Sequence, residues 1–98
     1  SILRHVRHGR VRSIYTIGDG EAEVIEAQVL STSPLAGKTI GEADFPEGAL
    51  VGAVRKGELL EKPNSRTLLE AGDVLVVFVL KSDVPELERL LQVAVEYF

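Results

Sequence analysis

The sequence contains no cysteine, no methionine and no tryptophan. Without cysteine there is no disulfide framework, no thiolate nucleophile and no zinc–thiolate site. Without an initiating methionine, Ser1 reads as a cut from a longer protein. No run of about 18 apolar residues occurs, so the pattern holds no membrane-spanning helix. No secretory leader is visible at the start. Aromatics are scarce, with two Tyr and three Phe, and the stacking platform of single-strand nucleic-acid binders is missing. What is present is a chain of 98 residues, 45 % of them hydrophobic. That is the length and composition of one globular domain with a modest core.

Charge is unevenly placed. Arg4, Arg7, Arg10 and Arg12 stand in the first 18 residues with no acid, while the remaining 80 are net negative. Such a leader suits either a nucleic-acid arm or the end of a helix docked on a neighbour. The acidic body would repel phosphate, which disfavours the arm.

Periodicity divides the chain into short elements. Ile2, Leu3 and Val6 have helical spacing, closed by Gly9 as a C′ glycine. Residues 11–17 (VRSIYTI) are β-prone, and Gly18-Asp19-Gly20 marks a turn. Residues 22–30 predict a strand with Ile25, Ala27 and Val29 on one face and Val24, Glu26, Gln28 and Leu30 on the other. After a Ser/Thr/Pro break, Thr39 and Glu42 have capping-box spacing, which predicts a helix of one to two turns. Residues 49–55 and 58–62 flank Lys56-Gly57 as a two-residue hairpin connection. Gly52 inside the first of these strands predicts a bulge or a close backbone approach. Residues 73–80 (DVLVVFVL) form a continuous apolar run, the pattern of a strand buried on both faces. Asp83, Pro85 and Glu86 then open a helix with a capping box. Val84, Leu87, Leu90, Leu91, Ala94 and Phe98 form its apolar stripe. The predicted fold is α+β: a small, mainly antiparallel sheet with a short helix and a C-terminal amphipathic helix on one face.

Little in this pattern resembles catalytic machinery. His5 and His8 have a metal-compatible i, i+3 spacing but no acid within ten residues, and they suit a helix end as simple cations. Gly18-Asp19-Gly20 lacks the third glycine and the preceding buried strand of a dinucleotide fingerprint, and Gly37-Lys38 lacks the upstream glycine of a phosphate loop. Ser31, Thr32, Ser33 and Ser65 have no histidine nearby in sequence. The chain is therefore expected to be no enzyme, to bind no metal and no nucleic acid, and to hold no cofactor of its own. Large aliphatic side chains exceed what one small core uses, among them Leu59, Leu60, Leu68 and Leu69, and a homodimer would bury the surplus.

The ordered motifs carry a family resemblance. The run Ser33-Pro34-Leu35-Ala36-Gly37-Lys38-Thr39-Ile40-Gly41-Glu42-Ala43-Asp44 resembles the opening of the TrkA C-terminal domain, also called the RCK C-lobe. Val51-Gly52-Ala53-Val54-Arg55-Lys56-Gly57 is similar to the strand and turn that follow in that family. Pro63, Leu68, Leu69, Gly72 and Asp73 complete the likeness. Residues 2–11 look like the helix and linker that lead from a Rossmann-like lobe, so the resemblance divides the chain into a linker, 1–21, and a TrkA-C domain, 22–98.

The resemblance implies a non-catalytic regulatory and dimerisation domain of a potassium-transport subunit. It would be cytoplasmic and peripheral to the inner membrane, and its partners would be a second copy, a membrane potassium transporter and a small-molecule effector. NAD or ATP would bind only in the missing Rossmann-like lobe. The alternative it implies is a nucleotide-sensing domain attached to another cation or anion transporter. In that case Val51, Ala53 and Arg55 are the expected ligand contacts, and Gly37, Gly57, Pro63, Gly72 and Asp73 are structural. Relatives that sense cyclic di-AMP carry basic groups in the loop before this strand. Here that loop is Phe45-Pro46-Glu47-Gly48-Ala49, with an acid and no arginine.

Overall fold

The computed structural model describes residues 11–91, with side chains from Ser13. The expected helix over 2–8, with His5 and His8, lies outside the described residues. So do Ala94 and Phe98 of the C-terminal stripe. Five strands form one antiparallel sheet: β1 (Val11–Ile17), β2 (Ala22–Gln28), β3 (Ala49–Lys56), β4 (Leu59–Glu61) and β5 (Val74–Leu80). Their spatial order is β1-β2-β5-β3-β4. A 3-10 turn, Lys81–Asp83, leads into helix α1 (Val84–Leu91). The α+β class with an antiparallel sheet is as the sequence predicts.

Alternation places the core. In β2, Ile25 and Ala27 are fully buried and Val29 follows them inward, while Val24 and Glu26 face the other way. Register aligns Ile25 with Val77 and Ala27 with Leu75, and Val54 of β3 joins the same face. Val84, Leu87 and Leu91 of α1 cover this inner face at i, i+3 and i+7, and Leu35 and Leu69 fill in from the connections. Each such side chain contributes about 1.5–3 kcal/mol of burial.

Three local expectations are corrected. First, β5 is not buried on both faces. Leu75, Val77 and Val79 are buried, but Phe78 and Leu80 are exposed, because among the described residues only one layer packs on the sheet. Second, the segment from Thr39 forms a hydrogen-bonded turn and no helix. Its capping box does form: Thr39 N–H donates to Glu42 Oε1 (2.9 Å), and Glu42 N–H donates to Thr39 Oγ1 (3.2 Å). The amides of Ile40 and Gly41, however, bond to Thr67 and Ser65 carbonyls (2.9 and 2.8 Å), tying this turn to another loop. Third, Asp83 makes no capping box with Glu86. Its carboxylate accepts the Gly48 N–H at 2.9 Å, and Glu86 pairs with Arg89 at 3.1 Å.

The hairpin turn also lies one residue later than predicted. Lys56 pairs with Leu59, and Gly57 takes φ +64°, a conformation that costs glycine nothing. The Gly52 expectation holds on both counts. The β3–β5 register shifts between Val51 and Ala53, and a Cβ at Gly52 would lie 2.5 Å from the Phe78 ring.

Burial makes a quantitative contrast. Leu75→Ala should cost about 2–5 kcal/mol in urea unfolding, as a fully buried position with a cavity to leave. Leu59→Ala, at an exposed position on β4, should stay within about 0.5 kcal/mol of the parent.

Candidate functional site

A cleft forms where two loops meet the start of β3. Residues 37–41 run antiparallel to 65–69: Gly37 N–H donates to Leu69 O, Leu69 N–H to Lys38 O, and Gly41 N–H to Ser65 O, all at 2.8 Å. The approach is close enough that a Cβ at Gly41 would sit 3.0 Å from Ser65 O. Beyond this lacing the chain turns through Phe45 and Pro46 into β3. A hollow of about 320 Å³ remains, lined by Ile40, Ala43, Leu50 and Val51 among its apolar residues and by Asn64 and Ser65 as its polar ones. That volume falls at the lower end of the range for small-molecule sites. None of its lining residues is ionisable. The cleft can therefore shelter a neutral, partly apolar group, but its lining offers no acid, base or nucleophile poised for bond chemistry.

The buried polar groups are engaged elsewhere, in structural bonds. Asp73 is buried and accepts the Glu70 N–H (2.9 Å) and the Lys56 ammonium (2.5 Å), and Lys56 also reaches Glu70 (3.2 Å). The Asp73 contact raises the Lys56 pKa above its ordinary 10.5, with burial opposing and Glu70 assisting. Buried Glu23 accepts hydroxyl bonds from Ser13 and from Thr16 (3.0 Å), which join β1 to β2. Ser33 donates to the Leu90 carbonyl (2.8 Å) and accepts the Leu35 N–H (3.0 Å), tying α1 to this loop at Leu90. The Thr39 N–H, helped by its hydroxyl, holds the exposed Glu42 carboxyl below the usual carboxylate range.

The residues expected to contact a ligand do not converge. Val51 lines the cleft. Ala53 and Arg55 pair with Val76 and Val74 beyond the bulge, and Arg55 borders a second hollow with Glu26 and Gln28. Pro63 lines the cleft, while Gly37, Gly57 and Gly72 all take positive φ at turns. Ile40, Ala43, Asn64 and Ser65 were not legible as lining residues, because a loop-to-loop ladder brings them there. The glycine pair Gly37 and Gly41, spaced for a turn and a close approach, is the signal that could have indicated it. Among the described residues no cluster of three His, Asp or Glu suits a metal. No described helix is long and apolar enough to cross a membrane.

The TrkA-C domain family matches residues 24–92, from within β2 through the described part of α1. The chain belongs to this family. The Trk system potassium uptake protein TrkA of Azorhizobium caulinodans is 38 % identical over 97 residues, covering 99 % of this chain and 21 % of that protein. The TrkA of Halomonas elongata is 34 % identical, covering all of this chain and 22 % of that protein. Among solved structures, the GsuK RCK domain superposes with a TM-score of 0.74 at 31 % identity, over 88 % of this chain and 19 % of that one. The GsuK channel bound to NAD gives 0.71 at 30 % identity, over 83 % and 15 %. This TrkA-C chain thus spans about a fifth of the length of the curated relatives it matches.

The Asp73 cluster is testable in this TrkA-C fold. Asp73→Ala should cost about 1–3 kcal/mol in urea unfolding, since the Glu70 amide and the Lys56 ammonium lose their shared acceptor. Lys56 adds a pH signature. Because its folded pKa lies above 10.5, its stabilisation is complete below that pH and is lost as the pH rises through the folded value. The urea midpoint should fall across that alkaline window, and a Lys56→Met chain should lack this part of the fall.

Proposed function

We propose that this chain is a non-catalytic regulatory lobe of a potassium-transport subunit, and that it associates as a homodimer. The observation that carries the reading is the TrkA-C match over 24–92, together with near-complete coverage of the chain by potassium uptake relatives. The site chemistry agrees with it. Asp73, Glu23 and Asp83 are committed to structural hydrogen bonds, and the cleft is lined by neutral groups. In this reading residues 1–21 lead from a Rossmann-like lobe. That lobe would hold NAD or ATP, and the whole subunit would act at the cytoplasmic face of a membrane potassium transporter.

A second reading gives the cleft a sensing role. Its apolar lining and the amide and hydroxyl of Asn64 and Ser65 suit a neutral planar group such as a nucleobase. Val51 then contacts the ligand, and the loop of Phe45 and Pro46 responds to it.

Domain exchange tests the first reading. Replacing the matching segment of the Azorhizobium caulinodans protein with this chain should preserve growth of a TrkA-deficient host in low potassium. Loss of growth with the chimera stably expressed would refute it. Calorimetric titration with a panel of nucleotides and cyclic dinucleotides tests the second. Heat that disappears in an Ile40→Trp chain, where the cleft is filled, supports sensing, and no heat across the panel removes it.

A further inference from the structure

Helix α1 is tethered to both of the loops that wall the cleft. One wall is a closed turn, in which Ala49 N–H donates to Pro46 O at 3.0 Å, and Pro46 and Ala49 both line the hollow. Gly48, inside this turn, is bonded away from the cleft. Its N–H donates to the Asp83 carboxylate at 2.9 Å, and its carbonyl accepts the Leu80 N–H at 3.0 Å. The stretch from Leu80 to Asp83 is the one that turns β5 into α1. This joint has no slack, since a Cβ at Gly48 would collide with the Asp83 carboxylate and the Leu80 side chain.

The opposite wall begins at the second tether, where Ser33 Oγ donates to the Leu90 carbonyl at 2.8 Å. From Ser33 the chain passes through two hydrogen-bonded turns, Ala36 N–H to Ser33 O and Lys38 N–H to Leu35 O, both at 3.1 Å. It then enters the cleft at Ile40 and Ala43. The two tethered residues of the helical arm stand about 10 Å apart along its axis. A helix is a spacer of fixed length, so the walls do not part freely while both tethers hold. The two tethers differ in strength. Ser33 is buried, whereas Asp83 is half-buried, and water can replace the Gly48 amide as its partner. The Asp83 joint is therefore the one that opens first.

We infer that α1 is the element that answers occupancy of the cleft. A group seated between Ile40 and Pro46 parts the walls, the Asp83–Gly48 bond opens, and the first turn of α1 loosens. The occupant has more room when the joint is open, which is the difference in affinity that a population shift requires. This rests on the sensing reading above and adds to it the element that responds and the residue that couples it. Asp83 is a positioning residue in this scheme and touches no ligand.

Because the chain has no cysteine, Ser65→Cys places a single thiol at the cleft, and benzyl methanethiosulfonate then seats a phenyl group there as the occupant. Amide hydrogen exchange followed by NMR reads the joint at Gly48 and the first turn at Leu87 and Glu88. Labelling should speed exchange at these amides at least about fivefold, as local opening requires. The same label on Leu59→Cys, exposed on β4, should change them by less than about twofold. With Asp83→Ala added to Ser65→Cys, the unlabelled chain should already exchange fast, and labelling should add less than about twofold. Asp83→Asn, whose amide oxygen still accepts a hydrogen bond, should restore the response. The Gly48 readout needs no variant at Asp83, so it stands even where Asp83→Ala does not fold. Unchanged exchange in the labelled Ser65→Cys chain would overturn the coupling, as would equal acceleration with Asp83→Ala. The label needs no natural ligand, so a silent nucleotide panel removes the sensing reading, and an unresponsive labelled chain removes this coupling alone.

Discussion

Strand β5 pairs along both of its edges, with β2 on one side and β3 on the other. The arrangement obliges two segments distant in sequence to accept the register of a third. Side chains alternate across a strand, so register also decides which residues are buried. Leu75, Val77 and Val79 point inward from β5, and their partners Ala27, Ile25 and Val54 point inward with them. A slip of one residue would bury Phe78 and Glu26 in place of Val77 and Ile25. The helix, the connections and the cleft are attached to this central ladder. Leu87 and Leu91 close the inner face, and Asp83 ties the start of α1 to Gly48 at the mouth of β3.

Polar groups in the interior follow the same logic. A buried carboxylate is costly without partners, and here each serves as a joint between elements. Glu23 joins β1 to β2 through two hydroxyls, and Asp73 joins the turn at Glu70 to Lys56 on β3. Ser33 ties α1 to its loop at Leu90, and Asp83 ties the turn before α1 to Gly48. Chemistry-bearing groups are spent on architecture, and the cleft is left neutral.

The legible part of the fold is the part written in local pattern. Alternation identified the inward set of β2, the apolar run identified β5, and Gly52 foretold the bulge. The ordered glycines and the capping box at Thr39 carried the family resemblance. The illegible part is set by partners far away in the chain. The apolar run of β5 has the same pattern whether one or two faces are covered, and among the described residues no second layer covers Phe78. Asp83 has ideal capping chemistry in sequence, yet its carboxylate accepts the Gly48 amide. The turn after Thr39 stops early because the Ile40 and Gly41 amides find carbonyls at Thr67 and Ser65.

By itself the sequence determined the class of the domain, the strands and their inward residues, and the family, because each depends on short-range spacing. The tertiary structure alone decided where the cleft lies, that Val51 joins it while Arg55 does not, and which face of the sheet α1 covers. Those outcomes depend on which loops and strands become neighbours. Backbone pairing across long separations chooses neighbours, and no local pattern of residues encodes that choice.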